Sequence, residues 1–336
     1  MLDKEFFIGN FLVGNYGEPF IIAEAGSNHN QSLDTARQLI EAAAKAGAGA
    51  VKFQLFIADK LYPREHKLYN IFKSIELNRD WIPKLVKHAS ECDVQFLASA
   101  FDTDSVDLLD QSGVGAFKIA SSEAVNFSLL AHTVKKGRPI IISSGMCDMI
   151  DVIEAVNFCE SQGASSIALL QCGAVYPLEP EQAHLRVMDS FRSVFTVPVG
   201  YSDHTLGLST PVAAVSRGAC IIEKHFTLDK ASEGPDHFYA LDPAELTEMI
   251  KMVKEAHAAL GSHEKFMLHQ EREFGRRKGL YTAFDLKKGD ILDEKKIEIK
   301  QPAVGLRERH LDKIVGLKVV RNLSKGTPLN WDNISF

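Results

Sequence analysis

Two histidines stand where the chain could hold a metal ion. His204 lies in the stretch GYSDHT, residues 200–205, and His225 lies in IIEKHF, residues 221–226. Imidazoles at the ends of adjacent strands can share one divalent ion whose other positions are filled by water and substrate oxygens. A structural zinc site would use four ligands and favour cysteine. The pair predicts an open catalytic site for Mn²⁺ or a similar ion, although either histidine taken singly is better explained as a hydrogen-bonded core or loop residue.

Two lysines occur inside other apolar runs, Lys52 in AVKFQLF and Lys118 in AFKIAS. Side chains alternate along a strand, so Lys52 and Gln54 lie on the face opposite Val51 and its apolar neighbours. Ammonium groups beside serine hydroxyls suit a small anion such as phosphate or carboxylate. Either lysine alone is equally explained by a structural ion pair with a glutamate.

The same alternation separates neighbours in IIEKHF. Glu223 and His225 share one face, and Lys224 lies on the other, where it is expected to form an ion pair on the helix side. Asp203 precedes His204 and has two alternative roles, orienting a histidine or capping a helix that begins near Leu206.

The elements that must position these residues alternate between two kinds. Short β-branched runs recur as FIIAEAG, AVKFQLF, VQFLASAF, AFKIAS, PIIISSG, SIALLQC, VPVGYSD and CIIEKHF. Between them lie stretches with apolar residues at helical spacing, such as LDTARQLIEAAAKAG, which ends at Gly47. Eight buried strands alternating with helices predict an α/β fold, the (β/α)₈ TIM barrel, since open doubly wound sheets more often stop at about five or six strands.

The active site of such a barrel forms where the strands end. Polar residues that are hard to explain by packing occur at these ends: Glu24, Lys52, Gln54, Ser99, Lys118, Ser121, Glu123, Ser143, Tyr176, His204 and His225. Asp236 follows the last strand in a Gly-Pro-Asp turn, which by itself is explained by turn geometry. These residues are expected to converge on one mouth.

The chain is expected to divide into two domains. The barrel spans 1–261 and closes with the helical stretch DPAELTEMIKMVKEAHAALG, for which Asp242 is the expected N-cap and Gly261 the stop. A linker of mixed charge follows at 262–279. Short strand-like pieces separated by turns predict a small, mostly β domain at 280–336.

Composition excludes several classes of protein. The formal charge of −6 disfavours a nucleic-acid-binding protein, which needs clustered surplus Lys and Arg. Five cysteines without a CxxC motif indicate neither a disulfide framework nor a zinc cluster. No run approaches the about 20 apolar residues that span a bilayer, and no signal peptide is evident. A cytoplasmic location is expected.

The ordered stretches IIAEAGSNHN, VKFQ, FKIASSE, ISSGM, GYSDHT and EKHFTLDKASEGPDH resemble the sialic acid (nonulosonate) synthase family. The resemblance covers nearly the whole chain and implies a barrel joined to a C-terminal antifreeze-like (SAF) domain in a domain-swapped homodimer. It implies condensation of phosphoenolpyruvate with N-acetylmannosamine or a related amino sugar, with a divalent metal, Mn²⁺ before Mg²⁺ or Co²⁺. The products are a nine-carbon 2-keto acid and phosphate.

The resemblance also implies roles for individual residues. His204 and His225 resemble the metal ligands of the family. The phosphoenolpyruvate contacts of the family are matched by Lys52, Ser99, Lys118, Ser121 and Ser143. Residues around the sugar and the reacting centre are matched by Glu24, Gln54, Asn70, Glu123, Tyr176 and Asp236. We expect Glu24 or Glu123 to take the proton of the attacking water.

One departure concerns the sugar. Gln301 precedes Pro302 where the family often has an arginine, and glutamine cannot form a charged bidentate contact. Arg307 or Arg309 could substitute, or the sugar could carry different substituents. Two alternatives therefore stay open: a deoxy-sugar-acid phosphate synthase acting on a phosphorylated aldose, and a non-catalytic adaptor of polysaccharide biosynthesis. The appended β domain disfavours the first, and the retained histidine and lysine pairs disfavour the second.

Overall fold

Eight parallel strands close into a barrel within residues 2–336, the part of the chain that the computed structural model describes. The barrel lies in the first of two structural units, which ends at Gly261; the second unit is Ser262–Phe336. The strands of the first unit are β1 (Glu5–Ile8), β2 (Phe11–Gly14), β3 (Phe20–Gly26), β4 (Ala50–Leu55), β5 (Gln95–Ala100), β6 (Phe117–Ile119), β7 (Ile140–Ser143), β8 (Ile167–Cys172), β9 (Val199–Asp203) and β10 (Ile221–His225). Strands β3 to β10 follow one another around the barrel, and β10 pairs with both β9 and β3. The predicted fold class is confirmed.

Helices connect the barrel strands. They are α1 (Leu33–Ala46), α2 (Ala58–Leu61), α3 (Tyr69–Ser74), α4 (Ile82–Glu91), α5 (Thr103–Gln111), α6 (Phe127–Val134), α7 (Met149–Ser161), α8 (Val187–Val194), α9 (Ser209–Ser216) and α10 (Pro243–Leu260). Helix α1 ends at Gly47, whose φ of 86° is the left-handed conformation that glycine adopts most easily. Helix α10 begins after Asp242, which forms a capping box with Glu245. Both ends agree with the sequence prediction. None of the helices in residues 2–336 combines the length and apolar composition that a bilayer span needs.

Apolar side chains form two layers, one between the strands and the helices and one inside the lower barrel. Polar residues occupy the barrel interior at the C-terminal ends of the strands. Outward-facing side chains such as Val51 and Phe53 pack against the helices. Inward-facing ones such as Leu97 and Ile141 fill the lower barrel, where Phe6 of the β1–β2 hairpin joins them. Because strand side chains alternate, the same strands carry polar groups into the upper barrel.

The second unit is small and contains little helix. Its strands and helices are β11 (Gly279–Thr282), β12 (Ile297–Lys300), β13 (Lys318–Val319), β14 (Ile334–Ser335), α11 (His269–Glu273) and α12 (Leu311–Ile314). Apolar side chains such as Leu280, Leu292 and Leu329 form its own core. The Gln301 amide donates to the backbone carbonyl of Arg276 in this unit. Gln301, which occupies the position where the family often has an arginine, thus forms a hydrogen bond within the second unit.

His29, just after β3, links stability to pH. Its ring is fully buried, edge-on to Trp81 at 6.3 Å, and burial lowers its pKa from 6.5 to about 4. The unfolded chain takes up this proton near pH 6.5 but the folded chain only near pH 4. Stability is therefore full above about pH 6.5 and falls as the pH drops toward 4, by about 3 kcal/mol in all. Urea unfolding should show that the His29→Gln variant loses less stability between about pH 7 and pH 5 than the parent does. Equal losses of stability would contradict this assignment.

Candidate active site

The C-terminal ends of the barrel strands surround a small cavity of about 50 Å³. The residues that line it are Glu24, Lys52, Gln54, Ser99, Phe101, Lys118, Ala120, Ser121, Ser143, Cys172, Tyr176, Ser202, His204, Glu223 and His225. Such a volume holds one or two water molecules. Tyr176, which is 47% exposed, is the most accessible of the lining side chains.

Two lysines and two glutamates form a buried charge cluster at the bottom of this cavity. The Lys52 ammonium lies 2.8 Å from the Glu24 carboxylate and 3.6 Å from Glu223. The Lys118 ammonium lies 3.7 Å from Glu223. All four side chains are 1–6% exposed. The structural ion pair considered for Lys52 is therefore present, with two lysines facing two glutamates.

Serine hydroxyls accept hydrogen bonds from both lysines. Lys52 donates to Ser99 Oγ at 2.9 Å, and Lys118 donates to Ser143 Oγ at 2.7 Å. Ser121 Oγ accepts from the backbone N–H of Gly145 at 3.0 Å. Lys52 also pairs with Glu24, and Lys118 also donates to the backbone carbonyl of Ile119 at 3.2 Å. An ammonium group has three donors, so each lysine keeps one N–H, on the side of Glu223, for a ligand oxygen.

Burial changes the acidity of the charge cluster. It raises the pKa of Glu24 to about 7, although Lys52 acts in the opposite direction. Burial also lowers the pKa of Lys118. For Glu223, burial alone would raise the pKa, but Lys118 and Lys52 outweigh it and the pKa is lowered. Glu24 is therefore the carboxyl group that can exchange a proton near neutral pH.

The end of β3 brings Glu24 and Asp236 close together. Strand pairing shifts register between Glu24 and Gly26, and Gly26 has a φ of 54°. A Cβ atom there would lie 3.2 Å from Asp236 Oδ2, so the close approach also favours glycine. Asp236 Oδ1 accepts from the Tyr239 hydroxyl at 2.7 Å, and burial raises the pKa of Asp236. The Gly-Pro-Asp turn thus places its carboxyl group beside the mouth.

The two histidines are neighbours across β9 and β10. Their ring centroids are 5.4 Å apart, and the Tyr176 ring lies 4.1 Å from that of His204. His204 Nδ1 lies 2.7 Å from the carbonyl oxygen of Gly173, to which it can donate, leaving Nε2 as a free acceptor. His225 Nδ1 is buried without a hydrogen-bond partner, and burial lowers the pKa of this imidazole well below 6.5.

These features fit a neutral imidazole ligand at His225 and a free Nε2 at His204. Burial alone would lower the pKa of His204, but the contacts with Cys172 and the Gly173 carbonyl outweigh it and the pKa is raised. Within residues 2–336, however, the structure brings together no group of three or more His, Cys, Asp and Glu side chains that could hold a metal ion. The pair suits only an ion that takes its remaining ligands from water and substrate. Metal binding by His204 and His225 stays a prediction.

Three predicted site residues lie outside the cavity lining: Asp236 in the turn beside the mouth, Glu123 and Asn70. Glu123 is in a 3₁₀ turn, Ser121–Glu123, and accepts from the Asn126 amide at 2.8 Å at the start of α6. Asn70 lies on α3 with an exposed side chain. The structure therefore brings Glu24, but not Glu123, to the charge cluster as the candidate base.

Sequence reasoning left Glu223, Ser202 and Cys172 out of the predicted site, although they line the cavity. For Glu223 the signal was present, because strand alternation groups it with His225. Ser202 donates to Glu223 at 3.1 Å and has no comparable signal of its own. Cys172 Sγ lies 3.8 Å from His204 Nδ1.

The hydrogen bonds of Asp203 go neither to a histidine ring nor to the start of a helix. Its carboxylate accepts from the Lys224 ammonium at 2.5 Å and from the backbone N–H of Thr205 at 2.9 Å, and α9 begins only at Ser209. Lys224 forms the ion pair that strand alternation predicts.

A second cleft, of about 690 Å³, lies beside the mouth. Ser27, Asn30, Gln31, Ile71, Ser74, Ile75, Glu233, Gly234 and Pro235 line it. Ser27 Oγ lies 3.5 Å from Asp236 Oδ2, which connects this cleft with the end of β3. Its mixed apolar and amide lining offers room for a polar ligand that carries methyl groups.

Comparison with known proteins gives matches along most of the chain. Residues 39–265 match the NeuB family, and residues 277–335 match the SAF domain, which confirms the kind of C-terminal domain expected. An uncharacterized protein of Methanocaldococcus jannaschii is 38% identical over 97% of this chain and 98% of its own length. An N,N′-diacetyllegionaminic acid synthase of Legionella pneumophila is 37% identical over 94% of each chain. The crystal structure of an N-acetylneuraminic acid synthetase from Leptospira borgpetersenii has a TM-score of 0.76 and 31% identity, covering 80% of this chain and 94% of that one.

Proposed function

The chain belongs to the NeuB family, a family of sialic-acid-type synthases, and from this premise we propose that it condenses phosphoenolpyruvate with an unphosphorylated amino sugar. The products are a nine-carbon 2-keto acid and inorganic phosphate. The observation that carries the proposal is the buried pair of lysines, Lys52 and Lys118, below the two histidines at one barrel mouth.

Phosphoenolpyruvate presents two anionic groups to the charge cluster. Lys52 and Lys118, with Ser99, Ser121 and Ser143, supply ammonium and hydroxyl donors for the phosphate and carboxylate oxygens. In a site this dry, fixed donors stabilise charge more strongly than they would in water. They also hold the enol carbon in place for attack, which removes most of the entropic cost of the bimolecular step.

His204 and His225 would hold the divalent ion, proposed to be Mn²⁺, which supplies Lewis-acid polarisation of the sugar aldehyde when bound. The chain's own residues do the rest. Tyr176 and the lower barrel exclude water from the enol carbon. Glu24, with a pKa raised to about 7 by burial, takes a proton from the water that attacks the second carbon of the enolpyruvyl group.

The proposed steps balance without another reactant. The third carbon of phosphoenolpyruvate bonds to the aldehyde carbon, whose oxygen becomes a hydroxyl group. Water then adds to the second carbon and gives one proton, through Glu24, to the former aldehyde oxygen. The new hydroxyl group on the second carbon gives its proton to the phosphate as the bond from that carbon to the phosphate oxygen breaks and the keto group forms. The phosphate leaves with its bridging oxygen, and the water oxygen remains in the keto acid.

The cleft beside Asp236 is the proposed site for the acceptor sugar. Ile71, Ile75 and Pro235 can contact acetamido methyl groups, and Asn30 and Gln31 can pair with amide oxygens and hydroxyls. A diacetamido hexose, as the name of the Legionella relative implies for that enzyme, and N-acetylmannosamine are the two acceptors we propose. A domain-swapped homodimer is proposed from the family resemblance, and analytical ultracentrifugation would test the dimer.

Phosphate release from phosphoenolpyruvate tests the proposal. Parallel reactions with Mn²⁺ receive N-acetylmannosamine, a 2,4-diacetamido-trideoxy hexose, a phosphorylated aldose or no sugar, each with and without a chelator. Release that requires metal and one unphosphorylated amino sugar supports the proposal. Release with only the phosphorylated aldose would favour the deoxy-sugar-acid phosphate synthase, and no release by folded, metal-loaded protein would favour the adaptor.

The Glu24→Gln variant is expected to lower kcat about 100-fold, with a smaller change in the KM for phosphoenolpyruvate. The amide keeps the shape of the side chain but cannot accept a proton. Rates are measured by phosphate release at saturating sugar, and Glu123→Gln serves as the matched control because its carboxylate contacts Asn126 instead of the cavity. A Glu24→Gln enzyme with full turnover would remove Glu24 from this role.

A further inference from the structure

We propose that the buried ion pair behind the two histidines is a positioning device that fixes the distance between them. It consists of Lys224, Asp203 and the carbonyl group of Thr205, and we call it the inter-strand clamp. The inference rests on the proposed function, because the distance matters when both imidazoles bind one ion.

The Lys224 ammonium makes two short contacts on the neighbouring strand end. It donates to Asp203 Oδ2 at 2.5 Å and to the Thr205 carbonyl oxygen at 2.6 Å. Asp203 Oδ1 accepts from the Thr205 backbone N–H at 2.9 Å, which closes the turn. The side chains of Lys224 and Asp203 are 3% and 0% exposed.

These contacts enclose His204 from both sides along the chain. Asp203 precedes it, Thr205 follows it, and Lys224 holds both. His225 directly follows Lys224 in the chain. The lysine that contacts the residues on both sides of His204 is therefore covalently linked to His225. Strand pairing sets Lys224 opposite Asp203, and the clamp continues this pairing past the end of β9.

The two histidine rings differ in the contacts that fix their positions. The contact between His204 Nδ1 and the Gly173 carbonyl fixes that ring. His225 Nδ1 is buried without a hydrogen-bond partner, and the ring has aromatic neighbours such as Tyr239, at 5.2 Å between centroids. The position of His225 therefore depends on where β10 holds its backbone. Pairing with β3 fixes that backbone on one side, and the clamp fixes it on the side of His204.

Energetics favour a positioning role over a purely stabilising one. A buried ion pair is often no more stable than apolar side chains of similar volume, because desolvation offsets the attraction. Removing one partner, by contrast, leaves an unpaired buried charge. Stability and histidine geometry can therefore be separated by replacing both partners together.

The experiment compares Lys224→Met, the double variant Lys224→Met with Asp203→Leu, and the parent. Urea unfolding measures stability, and electron paramagnetic resonance of free Mn²⁺ measures affinity. The single variant should unfold at a lower urea concentration than the parent, and the double variant should recover most of this loss. Both should bind Mn²⁺ about 10- to 100-fold more weakly than the parent, as expected when groups that orient metal ligands are lost.

Arg138→Met is the control, because Arg138 pairs with Asp110 on the helix side elsewhere in the barrel. It should lower stability and leave Mn²⁺ affinity unchanged. A folded double variant with parental affinity overturns the clamp, and so does equal weakening in the control. If the double variant does not fold, Lys224→Gln with Asp203→Asn, an uncharged pair with a side chain shorter by one atom, takes its place with the same expected loss.

A second readout does not need the metal. In protein labelled at the histidine ring carbons, the resonances of His204 and His225 should shift in the double variant and stay unchanged in Arg138→Met. Unshifted resonances overturn the proposal. A parent that binds no Mn²⁺ would contradict the metal part of the proposed function, and these resonances would still decide whether the clamp sets the histidine geometry.

Discussion

Replacing Lys118 with methionine is expected to lower kcat/KM for phosphoenolpyruvate about 1000-fold. Its ammonium is buried, held by Ser143, and balanced in part by Glu223 at 3.7 Å. Methionine fills a similar volume without a charge, so a bound phosphate or carboxylate oxygen would lose a charged donor in a dry site. Truncating one partner of such a buried pair costs about 4 kcal/mol, which corresponds to roughly 1000-fold.

Steady-state phosphate release at varied phosphoenolpyruvate measures this loss. Lys136→Met is the matched control, since Lys136 pairs with Asp107 outside the cavity lining, and its kcat/KM should equal that of the parent. Circular dichroism checks that both variants are folded. A Lys118→Met enzyme within about tenfold of the parent would show that this lysine does not hold the substrate.

Replacing His204 with glutamine is expected to abolish tight Mn²⁺ binding and to lower kcat about 1000-fold at the metal concentration that saturates the parent. His204 and His225 are the two predicted protein ligands of the ion, with ring centroids 5.4 Å apart, so one loss removes half of them. Lewis-acid polarisation contributes several kcal/mol to a reaction of this kind.

Titration calorimetry with Mn²⁺ and phosphate release measure the two effects in the same preparations. His132→Gln is the control, because His132 pairs with Asp107 away from the barrel mouth. Very high Mn²⁺ should restore part of the His204→Gln activity if the ion is bound weakly instead of excluded. Parental Mn²⁺ affinity in His204→Gln would contradict the assignment of this residue as a ligand.

Periodicity predicted the parts of the molecule that local patterns control. Eight β-branched runs separated by helical stretches identified the barrel, because each buried strand needs apolar residues on both faces. Alternation then assigned Lys52 and Gln54 to the barrel interior, where the structure has them. The capping residues Gly47 and Asp242 were also predictable, because their roles depend on a few adjacent residues.

These local patterns could not predict side-chain directions in the turns or contacts between different strands and helices. A 3₁₀ turn directs Glu123 toward Asn126, and its sequence gives no indication of that direction. Asn70 lies on a short helix after β4, where family resemblance alone assigned it to the sugar. The Lys224–Asp203 pair was half predicted: alternation gave the face of Lys224, but its partner depends on the register between β9 and β10.

The most direct test of the proposed condensation is the isotopic content of the phosphate released in water enriched in ¹⁸O. Mass spectrometry of the phosphate, with the amino sugar present and absent, gives the answer in one experiment. We predict release that requires the sugar and yields phosphate without ¹⁸O, because water attacks carbon and the phosphate keeps its bridging oxygen. Phosphate that carries one ¹⁸O atom would identify attack at phosphorus, and phosphate that appears without any sugar would identify simple hydrolysis; either result would contradict the proposed condensation.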